Sequence, residues 1–104
     1  MVPVLAAALA AACATPYHPV TPDDVRVAAA RFPGSSRESL EQGRKLTLSH
    51  CGRCHRAFEP SEFRADAWPG LVQEMREGAG LDAEEEALVI RYLVSASATA
   101  AKEL

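Results

Sequence analysis

The stretch Leu40-Glu41-Gln42-Gly43-Arg44-Lys45-Leu46-Thr47-Leu48-Ser49-His50-Cys51-Gly52-Arg53-Cys54-His55 decides the reading of this chain. Its first half is helical in character. Ser35-x-x-Glu38 stands just ahead as a capping box. The helix it opens carries Leu40, Gly43, Leu46 and Thr47 and runs directly into Cys51. Its second half, Cys51-Gly52-Arg53-Cys54-His55, is a Cys-x-x-Cys-His motif.

That spacing is the attachment signal for haem of the c type. Two thiols add across the two vinyl groups on one edge of a porphyrin, and two intervening residues let one turn of chain bridge that edge. The next residue then points its imidazole at the iron. Cys51, Cys54 and His55 are therefore expected to bind one covalent haem, with His55 as an axial ligand. Other uses of these residues fit less well. A thioredoxin-like pair opens a helix after a strand, whereas this one closes a helix. A zinc site takes four ligands, usually as two separated pairs, and His50 is the sole local addition. A disulfide between Cys51 and Cys54 is strained at such short range. His50, beside Cys51, is expected on the surface or near a haem propionate.

Upstream, residues 1–14 form an apolar run of small residues, the size of a signal-peptide core and too short to span a bilayer. Ala10-Ala11-Ala12-Cys13 resembles a lipobox, which would place lipid on Cys13; cleavage before Thr15 is the competing reading. Both imply export, hence a periplasmic location, and the first implies a membrane anchor. Residues 14–20, with two prolines and no periodicity, read as a tether, and His18 in it as a solvated surface residue. Thr21-Pro22-Asp23-Asp24 starts a short helix that continues through Arg31, with Thr as N-cap and Pro at the first helical position.

Downstream, residues 56–65 read as loop. The spacing predicts a third helix over about 66–78, in which Trp68, Leu71, Val72 and Met75 share one apolar stripe. Gly78-Ala79-Gly80 ends it. Asp82-x-x-Glu85 starts a fourth helix with Leu88, Val89, Tyr92 and Leu93 as its core face. No window alternates as a strand does, so the fold class is all-α. The expected organisation is a signal and lipobox region (1–14), a tether with a short helix (15–35), a haem domain (36–97) and a tail (98–104).

Met75 is the one methionine besides Met1 and lies on the stripe expected to face the haem. A thioether is a soft ligand that raises the reduction potential, so Met75 is the candidate sixth ligand, with core packing as its plainer use. Trp68 is expected in the core, with its indole N–H able to serve a haem propionate. Charge is near balance, 11 basic against 14 acidic residues. Nucleic-acid binding needs a strongly basic face and is not expected. Residues 15–58 nevertheless hold seven basic and four acidic residues, against four and ten in 59–104. The basic set closes on the motif and would suit an acidic redox partner.

From Leu40 to Leu93 the chain resembles class I c-type cytochromes, and more narrowly the short bacterial monohaem ones. The resemblance rests on the haem motif, on Gly43 eight residues before Cys51, and on Tyr92-Leu93 in the last helix. It implies that the helices bearing Gly43 and Tyr92 cross closely. Thr47 stands where the family usually has an aromatic residue, the Gly-Pro after the haem histidine is absent, and the methionine loop is short. The resemblance implies a monomeric periplasmic electron carrier rather than an enzyme, with redox proteins as partners. The rival is a haem enzyme or a gas- or peroxide-sensing domain with an open distal site.

Overall fold

Three of the four helices start where a short polar side chain satisfies one of the first N–H groups. The computed structural model describes residues 16–52 and 56–103. They form α1 (Pro22–Arg31), α2 (Arg37–Leu46), α3 (Trp68–Ala79) and α4 (Ala83–Glu103), with no strand among the described residues. The class is all-α, as the sequence implies. A π-turn, Thr47–Cys51, continues α2, and two 3-10 turns, Pro60–Glu62 and Ala65–Ala67, lead into α3.

At α1 the Thr21 hydroxyl accepts from Asp24 N at 3.1 Å and the Asp24 carboxylate accepts from Thr21 N at 3.0 Å, a complete capping box. The α2 box is one residue later than expected. Ser35 is spent on the preceding turn, where its hydroxyl and its N–H both donate to the Phe32 carbonyl. Ser36 and Ser39 therefore exchange the capping bonds, at 3.1 and 2.9 Å, and Glu38 keeps only a favourable place in the first turn. Helix α3 carries Pro69 in its first turn and ends at Gly80, whose φ of 70° is the left-handed cap that glycine adopts without penalty. It begins at Trp68 because residues 65–67 form the tighter turn instead. Asp82 and Glu85 cap α4 reciprocally, at 2.8 and 3.0 Å. That helix continues to Glu103, past the expected domain end at 97, and Thr99 is still buried.

Helix α4 is the axis on which α1, α2, α3 and the 3-10 turns all pack. Its Val89, Tyr92, Leu93 and Ala96 are buried in one cluster with Ala28, Leu40, Trp68 and Val72. The crossing of α2 and α4 is the closest approach. A Cβ at Gly43 would press into the Leu88 carbonyl and stand 2.8 Å from Tyr92 Cβ, so only glycine fits there. This is the crossing that Gly43 and Tyr92 lead one to expect.

Residues 16–20 are not a free tether. Val20 is buried, and the Tyr92 hydroxyl donates to the His18 carbonyl at 2.5 Å. Arg44 reaches the same carbonyl through Nε at 3.0 Å and the Tyr17 carbonyl through Nη2 at 2.9 Å. The segment is a strap bound across α2 and α4. His18 is correspondingly not a solvated surface residue: its Nε2 donates to Asp24 Oδ2 at 2.9 Å, and Asp24 is fully buried. Burial alone would raise the Asp24 pKa. The hydrogen bonds from His18 and from the Thr21 N–H outweigh it and hold the carboxyl below its ordinary value. Among the described residues no helix is long and apolar enough to cross a membrane.

Candidate functional site

The site begins where α2 changes its winding. Thr47, buried, donates its hydroxyl back to the Gly43 carbonyl at 2.7 Å, and from there the chain widens into the π-turn that ends on Cys51. Such turns are rare and tend to mark functional positions. Thr47 thus fills with a hydroxyl the place where an aromatic ring is usual. Gly52 follows, and a Cβ there would come within 2.8 Å of the Leu48 carbonyl, which explains a glycine inside the motif.

Cys51 is a half-buried free thiol. Burial pushes its pKa up. A reactive redox cysteine needs the opposite, an electropositive setting that stabilises thiolate. The environment therefore suits a sulfur that ends as a neutral thioether. Cys54 and His55, the remaining residues of the motif, lie outside the described residues, as does Cys13.

Helix α3 docks onto this turn. His50 Nδ1 donates to the Ala79 carbonyl at 2.8 Å, tying the residue before Cys51 to the last turn of α3. Neither the surface nor the propionate reading of His50 includes this bond. Met75 lies one helical turn before Ala79, half-buried and packed against the core. The structure thus brings the Met75 helix to the Cys51 turn. Trp68 takes the core place expected of it, nearly fully buried, and its N–H donates to the Pro60 carbonyl at 2.9 Å. That donor serves the loop after the motif.

The loop itself is fixed from three sides. Phe58, Phe63 and Trp68 stack edge to face, with centroids 5.5 and 5.2 Å apart. Arg56 grips Glu62 with two bonds of 2.8 Å. That pairing, with the Glu59 N–H, pulls the exposed Glu62 carboxyl down to about 2. From the strap, the Tyr17 hydroxyl donates to the Phe58 carbonyl at 2.5 Å. Sequence reasoning missed Tyr17 and His50 because both act on backbone carbonyls, which leave no pattern in the sequence.

An all-α fold in which a helix brings the turn ending on Cys51, the first residue of a Cys-x-x-Cys-His motif, against a second helix is the arrangement of a c-type cytochrome. The family model for dihaem cytochrome c matches residues 47–103, more than half of the chain, and the chain belongs to that family. No curated protein and no solved structure matches it. Its cofactor is haem c and its chemistry is haem-based electron transfer. The residues present fit that group: a free thiol in apolar surroundings at the end of the π-turn, and a set of apolar side chains, Leu46, Phe58, Leu71 and Met75, only partly buried against the core. Bound haem supplies an iron that alternates between ferrous and ferric. The chain's own part is to attach it, exclude water and set the ligands.

Proposed function

We propose that this chain is a single-haem electron carrier of the class I type, exported to the periplasm and held to a membrane by lipid on Cys13. The observation that carries the single haem is that the sequence contains one Cys-x-x-Cys-His, although the matched family is named for two haems. Cys51, Cys54 and His55 bind it, and Met75 closes the sixth position. Support for Met75 comes from its place on α3 one turn from the His50 contact. The protein is a carrier rather than an enzyme, works as a monomer, and meets an acidic redox partner through the basic residues around the motif.

The test is optical. Protein made in a host that matures c-type cytochromes should show, when oxidised, the weak long-wavelength band of sulfur bound to ferric iron. It should not bind carbon monoxide rapidly when reduced. Met75→Ala should lose the band and admit carbon monoxide. A wild type that binds carbon monoxide at once would favour the rival, an open distal site for peroxide or a diatomic gas.

A further inference from the structure

The residue that best links the strap to the haem is Tyr17. Its ring lies half-buried against Tyr92, with centroids 6.3 Å apart, and beneath the Arg44 guanidinium at 6.0 Å. Its own carbonyl accepts from Arg44. Residue 17 is thus held from below by α2 and α4. From that fixed base its hydroxyl reaches 41 residues along the chain and donates to the Phe58 carbonyl at 2.5 Å. Phe58 is the third residue after His55. One residue further, the Glu59 carboxylate accepts from the His18 N–H at 3.4 Å, a second and longer tie between the same two segments.

We infer that Tyr17 is a positioning residue for the haem, holding the loop that follows His55 through the Phe58 carbonyl. The inference rests on the haem reading of Cys51, Cys54 and His55. The other anchor of this loop, from Trp68 to the Pro60 carbonyl, comes from α3. The loop backbone is therefore held at 58 from one side of the molecule and at 60 from the other. A loop so held would keep the axial imidazole in place and limit water at the haem, and a drier setting disfavours the more highly charged ferric state. The setting of the phenol agrees. Burial first, then the charge of Glu59, push its pKa above the ordinary tyrosine value, which keeps the hydroxyl a donor at any physiological pH.

The experiment compares haem-loaded full-length wild type, Tyr17→Phe and Tyr92→Phe. Tyr17→Phe keeps the ring and removes only the tie to the loop. Tyr92→Phe removes a bond of the same kind and length that ends on the His18 carbonyl of the strap and leaves both strap-to-loop bonds in place. Tyr17→Phe should lower the midpoint potential. It should also speed amide exchange around residues 57–59 about fivefold, the ratio that corresponds to one lost hydrogen bond of ~1 kcal/mol. Tyr92→Phe should lower the melting temperature and leave the potential where it was. Unchanged potential and exchange in Tyr17→Phe overturn the inference. So does an equal potential shift in Tyr92→Phe, which would mean general loosening. A wild type whose intact mass shows no haem defeats the haem reading itself, before any variant is compared.

Discussion

The two sides of α4 are packed on different terms. On the side of α1, α2 and the strap, most of the core is sealed, with Tyr17, Val25 and Phe32 partly covered. Gly43 lets two helices touch, Leu40 and Ala28 are sealed, and the one buried carboxylate, Asp24, has His18, Thr21 and Thr99 around it. On the side of the π-turn and α3, apolar side chains stop halfway. Leu46, Phe58, Leu71 and Met75 are only partly covered, and Leu48 is 40% exposed. A small domain gains stability from every apolar group that it can cover. The first side seals most of its large side chains, and the second leaves apolar surface that a bound haem would cover.

The sharpest way to break that comparison is to remove the attachment. In the double variant Cys51→Ala/Cys54→Ala, intact mass should show the bare chain, where wild type carries one added haem. Helical circular dichroism should weaken and melting should lose cooperativity, because a ligand bound only by the native state stabilises it. A cooperative, high-temperature melt of the haem-free chain would show that the open side does not need its cofactor.

The closed side should fail differently. Gly43→Ala forces a methyl into the Leu88 carbonyl and Tyr92, so it should cost about 1–3 kcal/mol in denaturant unfolding. The haem spectrum should stay intact in the folded fraction. A spectrum that changes with Gly43 would mean that the two sides are not separable.

The smallest of these effects is a titration. The folded Asp24 pKa lies below its unfolded value, so its contribution is fully present above the ordinary carboxylate pKa. It is lost as pH falls through the folded pKa. Asp24→Asn should therefore cost about 1–2 kcal/mol near neutrality and flatten the acid limb of stability against pH. An unchanged acid limb would mean that other carboxylates, such as Glu62, and not Asp24, carry the pH dependence.

The open side was the more legible in the sequence and the closed side the less. The motif announces itself by spacing, and the starts of α1 and α4 by short polar residues followed by acids. The Gly43–Tyr92 crossing follows from the resemblance. What failed to show was the strap. Residues 16–20 look like a linker because they have no periodicity, yet Tyr92 and Arg44 hold them by their carbonyls, and a carbonyl looks alike in every residue. His18 was misleading for the same reason, since its partner Asp24 reads as a capping residue of α1 and is one as well. The shift of the α2 cap from Ser35 to Ser36 turned on which serine the preceding turn consumed, a choice that composition does not record.

The π-turn has a consequence for anyone who edits this chain. A residue added to or removed from an α-helix rotates everything beyond it by about 100°. Between Gly43, which must face α4, and His50, which is bonded to the end of α3, the wider turn holds its extra residue like a phase shifter between two fixed ports. Shortening Leu48–His50 by one residue would keep every chemical group of the motif and the contacts of Gly43 with α4 and Thr47. It would nevertheless aim the first sulfur at a different neighbour. In this protein, where the thiol points is set by how many residues are wound into one turn.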